Sequence, residues 1–148
     1  MSSPIPAKRA PRATASIVAC GFLFAGAALA AKPASLTVTV HGADIDAGFV
    51  HVALYDKASW IASESEPVRT ASRHPGEDVT VIPMSDVKRG KYVIEVYQDR
   101  NNNGEIDSGE PHGISKNVCL HVSSCHPSFD DAAIAVKAGD NAVSIDLD

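Results

Sequence analysis

Residues 91–98 read Lys-Tyr-Val-Ile-Glu-Val-Tyr-Gln, and this stretch decides the fold class. Its apolar side chains alternate between the two sides of the backbone, and one of the two series consists of Tyr92, Ile94 and Val96. A period of two residues, carried by aromatic and β-branched side chains, is typical of a β-strand. The stretch therefore predicts a strand, the strongest in the chain.

Shorter segments with the same alternation lie on both sides of this strand. They are separated by turn-forming residues and are predicted as strands at 36–41, 49–55, 79–83, 133–137 and 142–147. The last two are predicted to pair as a hairpin, because the Ala-Gly-Asp-Asn sequence between them favours a tight turn. Six or seven short strands with little helix predict an all-β fold, a single small β-sandwich of immunoglobulin or transthyretin type.

The segments between these strands have weaker patterns. Asp56 is predicted to cap a short helical turn whose Trp60 and Ile61 pack inward. Residues 64–78 are predicted to form a long loop or an irregular edge. Pro83 is predicted to end its strand or to place it at the edge of a sheet, because proline cannot donate to a β-ladder.

Residues 99–110 follow the strongest strand directly and read Asp-Arg-Asn-Asn-Asn-Gly-Glu-Ile-Asp-Ser-Gly-Glu. Their spacing of oxygen donors is that of a twelve-residue calcium loop, with Gly104 at the position of the sharp turn. The predicted ligands are Asp99, Asn101, Asn103, the backbone carbonyl of Glu105, Asp107 and Glu110. Because only three of them are carboxylates, we expect weak Ca²⁺ binding, on the order of 0.1–1 mM, with a structural role.

The flanks of this loop distinguish it from an EF-hand, in which helices precede and follow the loop. A strand precedes Asp99, and Pro111 and Gly113 disfavour a long exit helix. We therefore predict a stabilising ion at the end of a strand and no calcium switch. The alternative is that the Asn-rich, Gly-containing segment forms only a turn, since these residues favour positive φ.

The first thirty residues have the pattern of a signal peptide. Basic residues at 8–12 precede an apolar run at 17–29, and Ala28 and Ala30 form a small-x-small cleavage site. These features predict a signal peptide at 1–30, a mature domain at 31–148 without a membrane span, and a periplasmic or secreted location. The alternatives are an uncleaved signal anchor and a lipoprotein acylated at Cys20.

The charge of the predicted mature chain is strongly acidic. The leader holds three of the 13 basic residues and none of the 18 acidic ones, which leaves a formal charge of −8. Such a surface disfavours nucleic acid and anionic lipid as partners and is compatible with cations.

Two cysteines, Cys119 and Cys125, remain in the mature chain. In an exported protein an even pair predicts a disulfide, because the compartment is oxidising. The alternative is a zinc or copper site that uses both thiolates together with His121 and His126.

Several segments resemble the domain of unknown function 2141 family of exported bacterial proteins. In chain order they are Val-His-Val-Ala-Leu-Tyr-Asp at 50–56, Gly-Lys-Tyr-Val-Ile at 90–94, Gln-Asp-Arg-Asn-Asn-Asn-Gly at 98–104 with Asp107, Gly-Ile at 113–114 and Phe-Asp-Asp-Ala at 129–132. The resemblance implies one periplasmic or secreted β-sandwich without an assigned reaction. Members usually continue with Gly-Ile-Pro, whereas Ser115 stands here in place of that proline.

Three functions are compatible with these features. The first is a non-enzymatic, calcium-stabilised binding or accessory module of the cell envelope, whose partner is a protein, a peptide or a glycan. The second is a small envelope hydrolase, which requires His112, Asp107 and Asp130 to converge in one pocket. The third is a transition-metal carrier built on the Cys/His segment 119–126. No Ser-His-acid constellation can be assembled from the sequence, so the first function is the expectation.

Overall fold

The computed structural model describes residues 33–62, 66–119 and 125–148. These residues form strands and short helices in the order β1 (Ala34–His41), β2 (Phe49–Tyr55), α1 (Lys57–Ile61), β3 (Arg69–Arg73), β4 (Thr80–Val87), β5 (Gly90–Asp99), β6 (His112–Ile114), a 3₁₀ turn (Ser115–Asn117), α2 (Phe129–Ala132), β7 (Ile134–Val136) and β8 (Gly139–Asp146). The prediction of an all-β fold is confirmed. The predicted leader, residues 1–30, lies outside the described residues.

The strands form two sheets. One has the order β4-β1-β8, with β8 parallel to β1. The other has the order β3-β2-β5-β6, and β7 pairs with the beginning of β5. Buried side chains of both sheets form one apolar core, which includes Leu36 and Val38 from β1, Val52 from β2, and Ile94 and Val96 from β5. Because the sheets share this core, the fold is a β-sandwich, as the sequence predicts.

A second, smaller apolar cluster covers part of the outer face of the larger sheet. It combines Val93 of β5 with Trp60 of α1, Phe129 of α2 and Cys119. The Trp60 ring is buried, and its indole N–H donates to the carbonyl of Pro127 at 3.0 Å. The rest of this outer face stays open, next to the acidic loop.

For the short helix α1, the predicted cap is confirmed, whereas the predicted packing of one side chain is wrong. The Asp56 carboxylate accepts the N–H of Ser59 at 2.9 Å, as expected of an N-cap. However, the prediction that Ile61 packs inward is wrong, because its side chain is 69% exposed. A helix of five residues turns only one large side chain, Trp60, towards the sheet.

The predicted hairpin between the last two strands is wrong. Strand β7 pairs with the beginning of β5, whereas β8 pairs along its whole length with β1 in the other sheet. The chain thus passes from one sheet to the other between Val136 and Gly139. Asn141 holds this crossing, because its amide donates to the carbonyls of Lys137 and Ser35.

In two other segments the structure contains more β-strand than the sequence predicts. Residues 64–78, predicted as a loop or irregular edge, contain the edge strand β3. Strand β4 continues past Pro83 to Val87, and Pro83 pairs only with Thr37 of β1. The free side of β4 tolerates the missing N–H, so the edge position predicted for Pro83 is confirmed.

The connection between β1 and β2 fixes the end of β5. The fully buried Gln98 side chain accepts the N–H of Asp44 at 2.8 Å and donates to the carbonyls of Asp44 and Ala47, both at 2.6 Å. Gly48 has φ +48°, and a Cβ there would lie 1.7 Å from the carbonyl oxygen of Asp99. These contacts hold Asp99 in place where the acidic loop begins.

Candidate metal-binding loop and adjoining cleft

The acidic loop, residues 99–110, begins with a tight turn around Asp99. The buried Asp99 carboxylate accepts the backbone N–H groups of Gly104 at 2.8 Å and Asn103 at 3.2 Å. Gly104 has φ +84°, a conformation that glycine adopts readily. The turn predicted at Gly104 is therefore present, and it folds the first half of the loop around the first predicted ligand.

Glu110 closes the other end of the loop. Its carboxylate is buried and accepts the N–H of Arg100 at 2.7 Å and the N–H of Asp107 at 3.0 Å. The first and last predicted ligands are thus both held by backbone groups of the loop.

The middle of the loop gathers three more predicted ligands. One carboxylate oxygen of Asp107 accepts the side-chain amides of Asn101 and Asn103, both at 2.7 Å. All three side chains are exposed, as is that of Glu105, for which only the backbone carbonyl is predicted to bind. The loop therefore brings oxygen-bearing side chains together on its solvent side.

The ionisation of Asp99 is favoured by its surroundings. Burial alone would raise the pKa of its carboxyl. However, hydrogen bonds from the backbone of Gly104, Asn102 and Asn103, together with the nearby His51, lower the pKa below its ordinary value. His51 Nε2 lies 3.8 Å from the carboxylate. The group is thus held in the charged form that a hard cation requires.

The donor chemistry of the loop fits calcium, which prefers many mixed oxygen ligands. The described part of the chain contains no cluster of three or more His, Cys, Asp or Glu side chains that could hold a metal ion. The three predicted carboxylate ligands therefore do not meet as one cluster in this structure: Asp99 and Glu110 accept backbone N–H groups, and Asp107 accepts the two asparagine amides. Calcium binding by the six predicted ligands stays a prediction.

Next to the loop, the outer face of the larger sheet carries a cleft. It consists of two cavities of about 700 and 310 Å³, and both are lined by Glu95 of β5 and Ile106 of the loop. We call these two cavities together the Glu95 cleft. Its floor is the sheet, and one of its walls is the acidic loop.

Glu95 is a half-buried carboxyl group at the centre of this floor. Burial raises its pKa, while a hydrogen bond with the Tyr55 hydroxyl and the nearby His112 and His126 partly oppose this shift. The same environment raises the pKa of Tyr55 to about 12, through burial first and Glu95 second. Glu95 and Tyr55 thus influence each other's ionisation, and both line the smaller cavity of the cleft.

The residues proposed for a hydrolase converge only in part. Asp107 and His112 line the larger cavity of the Glu95 cleft. Asp130 lies on α2, where its exposed carboxylate faces Lys57 at 3.8 Å. The structure therefore brings together two of the three residues that this function requires.

The Cys/His segment forms a disulfide. Cys119 and Cys125 are bonded, with their Cα atoms 5.5 Å apart, so neither offers a thiolate to a metal in this structure. The His126 ring stacks on Trp60 at a centroid distance of 4.6 Å. His121 lies outside the described residues.

Two polar residues of β5 belong to the site although the loop pattern in the sequence does not include them. Gln98 continues the inward-facing series of Tyr92, Ile94 and Val96, and Glu95 interrupts an outward-facing series of large side chains. These residues could have been recognised from the sequence, because each is a polar residue in an otherwise apolar series. Such a residue indicates a group that must find a hydrogen-bond partner.

Comparison with known proteins gives a family and no individual relative. A family model described as an uncharacterized protein conserved in bacteria, DUF2141, matches residues 38–144. No curated protein and no solved structure gives a match. None of the helices among the described residues is long and apolar enough to span a bilayer.

Proposed function

This chain belongs to the DUF2141 family of bacterial proteins, and we propose that it is an exported, non-enzymatic binding module stabilised by calcium. Its partner is a protein, a peptide or a glycan of the cell envelope. Calcium is bound by Asp99, Asn101, Asn103, Glu105, Asp107 and Glu110. The ion rigidifies the acidic loop at the end of β5.

The observation that carries this proposal is the arrangement of ligands within the loop. Asp99 and Glu110 are both buried and held by backbone N–H groups, so their positions are set before an ion arrives. The side chains of Asn101, Asn103 and Asp107 meet at the solvent side. An ion would replace the amide–carboxylate contacts at Asp107 and would draw the carboxylates of Asp99 and Glu110 towards it.

Export is supported by the leader pattern and by the disulfide. A cross-link between Cys119 and Cys125 is typical of oxidising compartments outside the cytoplasm. Cell fractionation followed by N-terminal sequencing tests this part of the proposal. We expect a chain that begins at Ala31 in the periplasm or medium, and a full-length chain in the cytoplasm would contradict it.

Calorimetric titration with Ca²⁺ tests the ion site directly. We expect one site with a dissociation constant on the order of 0.1–1 mM, together with a calcium-dependent rise in melting temperature. Asp99→Ala should abolish both effects. Asp78→Ala, which removes the same charge from an exposed position outside the loop, should leave both unchanged. Equal Ca²⁺ binding by the wild type and Asp99→Ala would contradict the assignment of the loop as the calcium site.

A further inference from the structure

The carboxyl group of Glu95, on the floor of the cleft, lacks a basic side chain as its partner. Glu95 is half-buried, yet within the described residues it forms no ion pair with a lysine or arginine. The groups that partly offset the effect of burial on its pKa are the Tyr55 hydroxyl, His112 on β6 and His126. A partly buried carboxylate is costly without a permanent counter-ion, and proteins usually pair such groups.

The one arginine that lines the larger cavity is directed elsewhere. Arg100 donates from its guanidinium to the carbonyl of Gly109 at 3.5 Å and so contacts the acidic loop. The other charged groups along this cavity are the carboxylates of Asp107, Glu110 and Asp148. Asp107 and Glu110 are proposed calcium ligands, so a bound ion would offset their charge and leave Glu95 and Asp148 as the acidic groups of the cavity. Within the described residues, no lysine or arginine forms an ion pair with Glu95 that could take the place of a ligand cation.

The walls of the cleft carry apolar and aromatic side chains, which suit a hydrocarbon chain. Ile106, Pro111 and Ile114 line the larger cavity, and Ile106 extends from the loop with 46% of its surface exposed. The smaller cavity adds the rings of Tyr97 and His51, which stack at a centroid distance of 4.9 Å. Aromatic rings attract organic cations, in addition to their apolar contacts.

We propose that the Glu95 cleft binds an ammonium or guanidinium group carried on an apolar stem, with the Glu95 carboxylate as its counter-ion. The group belongs to a free amine or to a lysine or arginine side chain of a peptide, and both sources share this chemistry. The cation enters beside Glu95 and His112, and the stem lies against Ile106. This inference rests on the proposed binding module and identifies its ligand site.

Charge and depth together favour this ligand over a glycan. Glycan modules stack sugars on exposed aromatic faces, whereas the Trp60 ring is buried beneath His126 and the Tyr97 ring of the smaller cavity is already stacked on His51. The Glu95 carboxyl gains most from a cation, because burial disfavours its charge and a ligand cation would restore it. A neutral ligand would leave that charge uncompensated.

Chemical shifts in ¹⁵N-labelled full-length protein, titrated with n-hexylamine, test the proposal. We expect saturable shifts at Glu95, His112 and Ile106, and none of comparable size with the neutral 1-hexanol. Glu95→Gln should weaken n-hexylamine binding at least tenfold, about 1.4 kcal/mol. Glu77→Gln, which removes an exposed carboxylate elsewhere, should not change it.

A second cationic ligand distinguishes a peptide side chain from a free amine as the source of the cation. Binding of Nα-acetyl-lysine amide that is tighter than that of n-hexylamine assigns the site to a peptide, and the reverse assigns it to a free amine. Equal shifts with n-hexylamine and 1-hexanol, unchanged binding by Glu95→Gln, or shifts only with neutral sugars would overturn the proposal. Because Ile106, Asp107 and Glu110 belong to both the loop and the cleft, the n-hexylamine titration is performed in a calcium chelator and repeated with Ca²⁺. Asp99→Ala, which removes a calcium ligand that does not line either cavity of the cleft, should lose calcium binding and keep n-hexylamine binding, whereas Glu95→Gln should do the reverse.

Discussion

The Glu110 carboxylate accepts the backbone N–H of Arg100 at 2.7 Å and so ties the last residue of the acidic loop to its second residue. The same side chain also accepts the N–H of Asp107 and is only 8% exposed. Glu110 therefore has a role in the stability of the loop even without calcium. A bidentate metal ligand in this position is already oriented by the fold.

The first prediction separates this structural role from metal binding. Glu110→Ala, measured by urea denaturation in a calcium chelator, should lower the free energy of unfolding by about 2 kcal/mol, because two hydrogen bonds to a charged group are lost. Glu105→Ala is the matched control, since the Glu105 side chain is exposed. It should change stability by less than about 0.5 kcal/mol. Equal losses in both variants would contradict the buried anchor.

The second prediction concerns the buried Gln98. Gln98→Leu keeps the size of the side chain but leaves the N–H of Asp44 and the carbonyls of Asp44 and Ala47 without their partner. We expect a loss of about 2–3 kcal/mol in the free energy of unfolding, because unpaired buried polar groups are costly. Urea denaturation measures it. A loss below about 0.5 kcal/mol would show that water replaces all three bonds.

The fold was predictable from the sequence where a local pattern carries the information. The alternation in β1, β2 and β5 predicts a half-buried strand, because the period of the side chains is a property of the strand itself. The cap at Asp56 and the turn at Gly104 follow from local backbone chemistry in the same way. These features need no knowledge of which strand lies next to which.

Strand partners were not predictable, because pairing depends on distant residues. The sequence between β7 and β8 favours a hairpin, yet β8 lies parallel to β1, about one hundred residues away in the chain. Strand β3 was missed because Arg69–Arg73 buries only part of Ala71 and so carries no apolar alternation. The cleft was missed for the same reason, since Glu95 and Ile106 meet only in the folded chain.

The third prediction compares two glycines with positive φ. A Cβ at Gly48 would lie 1.7 Å from the Asp99 carbonyl, whereas a Cβ at Gly104 would meet no atom within 4 Å. Gly104→Ala should therefore lose only about 1 kcal/mol from backbone strain. Gly48→Ala should lose on the order of 4 kcal/mol or more, because backbone must also move. Thermal melts of both variants measure the difference, and similar melting temperatures would contradict the close approach.

The fourth prediction concerns the disulfide. Replacing Cys119 and Cys125 by alanine removes a short covalent loop and should lower the free energy of unfolding by about 2 kcal/mol. A reductant should lower the wild-type melting temperature to that of the double variant. It should have no effect on the double variant, which lacks both cysteines of the mature chain. A wild-type protein that is insensitive to the reductant under unfolding conditions would contradict the cross-link.

The last prediction follows from the raised pKa of Glu95. In the folded protein, burial lifts this pKa above the value of 4.5 that the unfolded chain has, while Tyr55, His112 and His126 partly oppose the shift. Between the two pKa values, the folded state keeps a proton that the unfolded state releases. The contribution of Glu95 to stability is therefore fully present below about pH 4.5 and is lost as pH rises through the folded pKa.

Glu95→Gln should remove this loss, because glutamine does not ionise and can still accept the hydrogen bond from Tyr55. Relative to the wild type, the variant should be equally stable at low pH and more stable at neutral pH, as measured by urea denaturation across the pH range. Glu77→Gln, at an exposed position, should follow the wild-type curve. A wild-type curve that rises relative to Glu95→Gln as pH increases would mean that the carboxylate is stabilised in the fold. Glu95 would then have a permanent cationic partner, and the cleft would have no need of a ligand cation.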